Sequence, residues 1–261
     1  MAWKQKTLGT MTAFVRGQAP WITLVHGFAG APWDWCRILT LLGPEVPVAL
    51  VELPGHGPNG RAFPADWKEA SEALARWLKF SQLVVGYSMG GRLLAAALSE
   101  TPEPKRALLI GAHPGLSDLE RKNRQSWDQA QVKLLKSESL ADFRRRWSTL
   151  PILKRFSHDD DDQAARLQSG RSKLRIEGLA WAMAHLGSGT VPSRRTQLAK
   201  LGHTIVWAAG ESDSKYCELA QDLAEESPDW SFRQIPNSGH SAHLDNPNDI
   251  FKLICEHHQA L

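Results

Sequence analysis

Short apolar runs bounded by turn residues alternate with stretches of helical pattern along most of the chain. The runs that favour strands cover residues 10–15, 21–25, 46–51, 83–85, 107–110, 203–209 and 230–235. The helical patterns cover residues 32–42, 66–80, 93–98, 214–225 and 246 onward. Because strands alternate with helices, we predict an α/β fold with a mostly parallel sheet and helices on both faces. The first two runs flank a turn-like segment at 17–20, which predicts neighbouring strands.

The pattern changes between residues 116 and 200, where strand-like runs disappear. Polar, helix-compatible stretches follow one another at 117–136, 139–147, 159–169 and 172–186, and an acidic run at 158–162 suits the start of the third. A large insertion near a catalytic edge typically covers a substrate site. We therefore expect a single domain in which residues 1–115 and 201–261 form the α/β core. Residues 116–200 would form a helical cap inserted after the strand at 107–110.

A sharp turn joins the apolar run at 83–85 to the helical pattern at 93–98. It reads Gly86-Tyr87-Ser88-Met89-Gly90, a G-x-S-x-G motif in the strand–turn–helix setting that gives this motif catalytic meaning. Glycines let the chain reverse tightly, and the free N–H groups at a helix N-terminus favour a nearby negative oxygen. Ser88 is therefore the predicted reactive oxygen. The alternative is a serine that only caps the helix.

Candidate partners for Ser88 follow the last two predicted strands. Asp213 comes after the strand at 203–209, and His240 lies in a glycine-containing loop after the strand at 230–235. Serine, then acid, then histidine resembles the chain order of the α/β-hydrolase triad, in which histidine takes the serine proton and the acid orients the imidazole. The chain also holds competing candidates for the base and the acid: His243, Asp245 and Glu211.

A glycine-spaced loop follows the strand at 21–25 and reads His26-Gly27-Phe28-Ala29-Gly30. Folds of this kind place the second oxyanion donor in such a loop, beside the serine turn. The backbone N–H groups of Phe28 and Met89 are therefore the predicted oxyanion hole. For His26 we expect a hydrogen-bonded structural role rather than a catalytic one.

Arg92 stands out in a helix that otherwise consists of small and apolar residues. It follows Ser88 by four positions, which places both residues on the same helix face. A buried guanidinium needs a partner, since an unpaired buried charge is unfavourable. The residues alone leave two roles open for Arg92: a structural salt bridge to an Asp or Glu, or an ion pair with a substrate carboxylate.

Composition narrows the class of protein. With 261 residues, 42% of them hydrophobic, the chain can bury a large core, and its net charge of +3 does not call for a nucleic-acid partner. Residues 121–195 hold sixteen Lys or Arg against eight Asp or Glu, so the positive charge is concentrated there and suits an anion. The three cysteines suit neither a disulfide framework nor a metal cluster. Without a bilayer-length apolar run or a signal-peptide pattern, we expect a cytoplasmic protein with no membrane insertion.

Motifs of one enzyme family recur along nearly the whole chain. They are His26-Gly27-Phe28 with Asp34-Trp35, residues 53–57, residues 86–92, His113-Pro114-Gly115-Leu116, Arg124-x-x-x-Asp128, Trp147, Gly187-Ser188-Gly189, residues 210–216 and residues 239–243. Together these segments resemble the 2-succinyl-6-hydroxy-2,4-cyclohexadiene-1-carboxylate (SHCHC) synthase family, lyases of menaquinone or phylloquinone biosynthesis on an α/β-hydrolase scaffold. Gly-Gly-Arg after the serine, Pro-Gly-Leu and Asp-Ser-Lys are the most selective of these motifs.

This resemblance implies an elimination instead of a hydrolysis. Enzymes of this family act on a small polycarboxylate with an enolpyruvyl ether: the activated serine removes a ring proton, charge develops on a carbonyl oxygen, and pyruvate leaves. The family's substrate-contacting residues match Tyr87, Arg92, Arg124, Trp147 and Arg171, the last placed by counting back from Gly187. We expect no metal or other cofactor, and a monomer or weak homo-oligomer.

Two other functions fit the same scaffold. A carboxylesterase, thioesterase or C–C bond hydrolase would use the same three residues through an acyl-enzyme, with Arg92 in a structural role. A non-catalytic binding protein is the third option, which the complete set of Ser, His and Asp disfavours. Fold alone does not choose among them, because one scaffold hosts many reactions.

Overall fold

The computed structural model describes residues 2–57, 63–156 and 160–258. Within these ranges a single sheet has the strand order β1-β2-β4-β3-β5-β6-β7-β8. The strands are β1 Lys4–Leu8, β2 Met11–Arg16, β3 Trp21–Val25, β4 Val48–Glu52, β5 Ser81–Tyr87, β6 Arg106–Ile110, β7 Thr204–Gly210 and β8 Trp230–Ile235. β2 runs antiparallel to both β1 and β4, whereas every pairing from β4 to β8 is parallel. The predicted α/β fold with a mostly parallel sheet is confirmed.

Two features of the sheet differ from the sequence-based predictions. β1 was not predicted, because its residues KQKTL are mostly exposed and polar, and only its pairing with β2 makes it a strand. The prediction that the strands at 10–15 and 21–25 are neighbours is wrong. β4 lies between β2 and β3, pairing antiparallel with the first and parallel with the second. The order of strands depends on long-range pairing, which a local turn signal does not report.

Helices occupy the intervals in which helical patterns were predicted. They are α1 Cys36–Leu42, α2 Trp67–Leu78, α3 Met89–Leu98, α4 Asp118–Ser137, α5 Leu140–Ser148, α6 Asp161–Arg171, α7 Ile176–Leu186, α8 Arg195–Ala199, α9 Ser214–Ala224, α10 Ala242–Asp245 and α11 Pro247–His257. Short α8 and α10 were not predicted. Asp66 caps α2, since its side chain accepts the N–H groups of Lys68 and Glu69.

Alternate residues of the central strand β5 enter two different cores, as expected for a sheet covered on both faces. Leu83 and Val85 belong to an apolar cluster that also contains Ile38 of α1 and Ile254 of α11. Val84, which points to the other face, belongs to a cluster with residues of α2 and α3, among them Leu74 and Leu94. Burial on both faces explains why β5 reads as a continuous apolar run rather than an alternating one.

The segment between β6 and β7 is helical in its described part and has an apolar cluster of its own. This cluster joins α4, α5 and α7 through Leu135, Phe143, Leu179 and Met183. A single parallel bridge between Leu116 and Pro192 brings the two ends of the segment together. Of the acidic run that was expected to start the third helix, Asp160 caps α6, while residues 158 and 159 lie outside the described residues. The division into core and cap at residues 116 and 200 stays a prediction.

Candidate active site

Ser88 lies in a tight turn at the carboxyl edge of the sheet. β5 ends at Tyr87 and α3 begins at Met89, so one residue connects strand and helix, and its φ of 50° lies in the left-handed region that non-glycine residues rarely adopt. The turn is possible because glycines flank it: a Cβ on Gly86 would lie 2.7 Å from the Cα of Gly91. The Ser88 side chain makes no capping hydrogen bond to α3, so the alternative of a simple cap is not observed.

The side chains of Ser88, His240 and Asp213 form one hydrogen-bonded chain. His240 Nε2 lies 3.0 Å from Ser88 Oγ, and His240 Nδ1 lies 2.6 Å from Asp213 Oδ2. Because an ionised carboxylate only accepts, Nδ1 of His240 carries the proton, and Nε2 is free to accept the Ser88 proton. The three residues meet because β5, β7 and β8 are parallel and all end at the same edge of the sheet.

The competing candidates lie in other environments. His243 is buried between Trp35 and Tyr87, and neither of its ring nitrogens has a hydrogen-bond partner among residues 2–57, 63–156 and 160–258. Asp245 accepts hydrogen bonds from the N–H of Gly239 and from Arg155 Nε, and Glu211 accepts the N–H of Asn237. The acids therefore stabilise the loop around His240 instead of contacting its ring.

The predicted oxyanion donors lie beside Ser88. Phe28 and Met89 both line the cavity into which Ser88 and His240 open. Met89 is the first residue of α3, so its N–H has no acceptor within the helix. That the N–H groups of Phe28 and Met89 together stabilise negative charge on a carbonyl oxygen stays a prediction.

Two buried histidines hold the loop that carries Phe28. Nε2 of His26 accepts the N–H of Leu53 at 3.1 Å, and Nε2 of His56 accepts the N–H of Ala29 at 3.0 Å. Burial lowers the pKa of His26 to about 4 and that of His56 to about 3, so both rings are neutral. His26 thus has the structural role expected for it, and His56 has a structural role as well.

A cavity of about 1060 Å³ opens above Ser88, between the sheet edge and the helical segment. Its walls include four of the five residues that the family resemblance assigned to substrate binding: Tyr87, Arg92, Arg124 and Trp147. Tyr87 is fixed by a hydrogen bond of 2.9 Å between its hydroxyl and Ser241 Oγ. Trp147 packs edge-on against Phe28, with ring centroids 5.0 Å apart. Aromatic side chains thus form part of the cavity wall near Ser88.

Arg92 is buried at the edge of this cavity, with 7% of its surface exposed. Within the described residues its Nε has no hydrogen-bond partner, its Nη2 lies 3.5 Å from the carbonyl oxygen of Leu186, and its guanidinium also interacts with the uncharged hydroxyl of Tyr216. No Asp or Glu among the described residues forms an ion pair with it, and burial lowers its pKa. The structural salt bridge left open by the sequence is therefore not observed. A buried guanidinium without a counter-charge is suited to an anionic ligand.

Arg124 forms an ion pair with a residue of its own helix and also borders the cavity. Its Nε donates to Asp128 Oδ1 at 2.9 Å, one turn further along α4, and its guanidinium lies 3.9 Å from the ring centroid of Trp127. Asp128 also accepts the N–H of Gly189 at 3.0 Å. The Arg-x-x-x-Asp spacing is thus an intrahelical ion pair that orients Arg124 towards the cavity.

The structure places Arg171 outside the cavity, in contrast to the role expected from the family resemblance. Its Nε and Nη2 donate to the two carboxylate oxygens of Asp34, at 3.1 and 2.9 Å. Asp34 is buried at 3% exposure and needs a counter-charge, which Arg171 supplies. Counting back from Gly187 gave a position on α6 but carried no information about this partner.

Sequence reasoning assigned no role to three further residues that line the cavity: His113, Lys215 and Tyr216. His113 follows β6, and Lys215 and Tyr216 follow β7, so all three lie just beyond the carboxyl ends of parallel strands. Because ligands of open parallel sheets bind at this edge, the position of these residues just after a strand was the signal that could have identified them.

Comparison with known proteins supports the assignment of the fold. A model of the alpha/beta hydrolase family matches residues 24–253, most of the chain. The chain belongs to the alpha/beta hydrolase family. Among solved structures, MenH from S. aureus superposes with a TM-score of 0.82 at 20% identity, covering 98% of this chain and 97% of that one. A carboxylesterase structure from the thaumarchaeon Nitrososphaera gargenis superposes with a TM-score of 0.74 at 17% identity, covering 98% and 97%.

Sequence relatives of this alpha/beta hydrolase include proteins named as SHCHC synthases. The putative SHCHC synthase of Bacillus subtilis (strain 168) is 27% identical over 244 residues, which cover 90% of this chain and 89% of that protein. The SHCHC synthase of Escherichia coli O17:K52:H18 is 28% identical over 243 residues, covering 91% and 93%. The resemblance to SHCHC synthases that the motifs predicted is thus confirmed, at 27% and 28% sequence identity.

Metal sites and membrane spans can be sought across the described part of the chain. Across residues 2–57, 63–156 and 160–258, no cluster of three or more His, Cys, Asp or Glu is arranged to hold a metal ion. No helix within those ranges has the length and apolar character needed to cross a bilayer. None of the three cysteines forms a disulfide bond in the described part of the chain.

Proposed function

We propose that this protein is a carbon–oxygen lyase of menaquinone or phylloquinone biosynthesis. The reaction would eliminate pyruvate from 2-succinyl-5-enolpyruvyl-6-hydroxy-3-cyclohexene-1-carboxylate and form SHCHC. The observation that carries the proposal is Arg92, a buried guanidinium without an ion-pair partner among the described residues, beside the same cavity as Ser88. A substrate with several carboxylates supplies the counter-charge that Arg92 lacks.

In this proposal Ser88 acts as a base. His240, oriented by Asp213, withdraws the Ser88 proton, and the resulting alkoxide character lets Ser88 Oγ remove a proton from the substrate ring. The electron pair of that C–H bond moves into the ring, the C–O bond to the enolpyruvyl group breaks, and pyruvate leaves as its enolate, which takes up the proton held on His240 Nε2. His240 Nε2 holds the proton that is returned, so the protein ends in its initial state.

The N–H groups of Phe28 and Met89 would stabilise the negative charge that develops on the substrate carbonyl oxygen. Donors of this kind contribute about 10²–10³ in rate when they are already oriented before the reaction. The buried histidines His26 and His56 support this orientation by fixing the Phe28 loop. Arg124 and Trp147, both from residues 116–200, would close over the substrate, which is the role we propose for that helical segment as a lid.

The proposal is tested by mixing the purified protein with the enolpyruvyl substrate and following pyruvate with lactate dehydrogenase and NADH. We expect pyruvate release by the wild type and a loss of at least about 10³ in kcat for Ser88→Ala. Asp222→Asn, a substitution at the edge of the cavity, serves as the matched control and should retain activity. Rapid hydrolysis of p-nitrophenyl esters with no pyruvate release would overturn the lyase and favour the serine hydrolase.

A further inference from the structure

His113 is a cavity residue whose ring has a defined tautomer. It lies in the loop after β6, is 4% exposed, and lines the same cavity as Ser88 and Arg92. Its Nδ1 accepts the N–H of Gly115 at 3.2 Å. Because a neutral imidazole has one donor and one acceptor nitrogen, the proton resides on Nε2. His113 therefore presents a single N–H donor, and Nε2 has no protein partner in the described parts of the chain.

The surroundings of His113 keep the ring neutral. Burial lowers its pKa well below the usual value, and the nearby positive charges of Arg92, Lys215 and Arg124 lower it further. A neutral N–H donor among three cations is complementary to an acceptor that bears negative charge. A carboxylate oxygen meets that description, whereas an ammonium group or an apolar moiety does not.

We propose that His113 Nε2 donates a hydrogen bond to an oxygen of the substrate carboxylate that pairs with Arg92. The inference rests on the proposed function and adds a residue that determines specificity for the anionic end of the substrate. Arg92 supplies the positive charge. His113 fixes the orientation of the carboxylate, because a ring held at Nδ1 by the Gly115 N–H can donate from Nε2 in one direction only. The pair thereby selects a carboxylate in one orientation over a neutral amide or ester.

Two substitutions distinguish substrate binding by His113 from a purely structural role. Asn matches the position of Nδ1, so His113→Asn preserves the acceptor for the Gly115 N–H but removes the donor at Nε2. Gln places its amide nitrogen near Nε2, so His113→Gln preserves the donor but removes the acceptor at Nδ1. The matched pair therefore separates substrate binding from loop support.

The experiment measures KM and kcat for pyruvate release, and Tm, for both variants of the full chain. We expect His113→Asn to raise KM about tenfold or more with Tm close to the wild type, because a hydrogen bond to a charged group is lost. His113→Gln should keep KM within about threefold. A normal KM for His113→Asn, with or without a defect in His113→Gln, would overturn the inference.

If both variants raise KM, the double variant His113→Asn, Arg92→Gln tests whether the two residues bind the same carboxylate. Effects of His113→Asn and Arg92→Gln that are less than additive support a shared carboxylate, and additive effects overturn it. Wild-type protein that releases no pyruvate would overturn the proposed function, and the inference with it. Pyruvate release together with an unaltered KM in His113→Asn would overturn the inference alone.

Discussion

Arg171 and Asp34 form a two-point ion pair between the helical segment and the sheet-bearing core. Nε and Nη2 of Arg171 lie 3.1 and 2.9 Å from the two carboxylate oxygens of Asp34. Arg171 is the last residue of α6, whereas Asp34 lies in a short 3-10 helix, Pro32–Trp35, that precedes α1. The parallel geometry is the strongest form of an arginine–carboxylate contact. The pair therefore fastens α6 to the edge of the core next to the candidate site.

Removal of Arg171 should affect stability more than substrate binding. Arg171→Ala leaves the buried Asp34 carboxylate without its counter-charge, and we expect the free energy of unfolding to fall by roughly 2–3 kcal/mol. The value is below that of a fully enclosed pair because the Arg171 side chain is 34% exposed. Urea unfolding measures the loss, with Arg171→Lys as the control that keeps the charge. A large rise in KM at unchanged stability would instead return Arg171 to the substrate site.

Substitution of Arg92 should have the opposite profile. Arg92→Met replaces a buried guanidinium that lacks an ion-pair partner with an apolar chain of similar length, so we expect Tm to stay constant or to rise. Because the proposed contact with a substrate carboxylate is lost, kcat/KM for pyruvate release should fall about 10²-fold. Thermal unfolding and the coupled assay measure both effects. Arg92→Lys, which keeps the charge but not the planar fork, should retain part of the activity.

A marked loss of stability in Arg92→Met, with normal turnover per folded molecule, would contradict the substrate-binding role. It would show that Arg92 supports the packing of α3 against Leu186 and its neighbours.

Acid should destabilise the protein through His26 and His56. Their pKa values are lowered by burial to about 4 and about 3, below the value near 6.5 expected in the unfolded chain. The unfolded state therefore binds more protons between these values, and stability must fall as the pH falls through this window. Each ring contributes a slope of up to about 1.4 kcal/mol per pH unit, and stability should level off above pH 6.5.

Urea unfolding between pH 5 and pH 8 measures this slope, and His56→Gln is the informative variant. Gln can still accept the N–H of Ala29 but does not titrate, so the slope below pH 6.5 should decrease. Other buried histidines, among them His113 and His243, act in the same direction and account for the remainder. An unchanged slope in His56→Gln would show that His56 is not neutral in the folded protein.

Asp245 should be needed to keep the His240 loop in place. Its carboxylate accepts the N–H of Gly239 at 3.1 Å, Arg155 Nε at 2.7 Å and the N–H of Phe156 at 3.1 Å, and its side chain is fully buried. Asp245→Asn removes the charge and turns an amide NH2 towards at least one of these donors. We expect a loss of roughly 2–4 kcal/mol in stability and a decrease in kcat that exceeds any change in KM.

Glu211→Gln is the matched control for Asp245→Asn, because both residues were candidates for the acid in the sequence. Glu211 is exposed and accepts one backbone N–H, from Asn237 at 3.0 Å, so its substitution should change stability by no more than about 0.5 kcal/mol. Equal effects of the two substitutions would contradict the role of Asp245 in the His240 loop.

Much of the fold was predictable because its signals are local. The buried parallel strands are recognisable as apolar runs, and the turn at Ser88 is recognisable from the glycines that its geometry requires. Asp66 was predictable as a cap because its side chain acts on N–H groups two and three residues away. Strand β1 was not, because an edge strand without a buried face carries no apolar pattern.

For the candidate site, the sequence indicated which residues carry reactive groups but not how charges are paired. Arg92 and Arg171 are both arginines in helical stretches, and the family resemblance gave them the same role. In the structure one has no ion-pair partner in the described residues and borders the cavity, whereas the other is bound by Asp34. The difference arises from contact with a residue 137 positions away, which neither spacing nor periodicity reports.

The sequence by itself determined the parallel α/β architecture, the strand–turn–helix around Ser88 and the order in which Ser88, Asp213 and His240 follow each other. These depend on backbone preferences and on burial, which each short segment expresses on its own. Only the tertiary structure decided that β4 separates β2 from β3, that Arg171 pairs with Asp34, and that Arg92 borders the cavity with no ion-pair partner in the part of the chain that the structure describes. Such features depend on which distant groups meet, because electrostatic and hydrogen-bond partners are chosen by proximity in space and not by proximity along the chain.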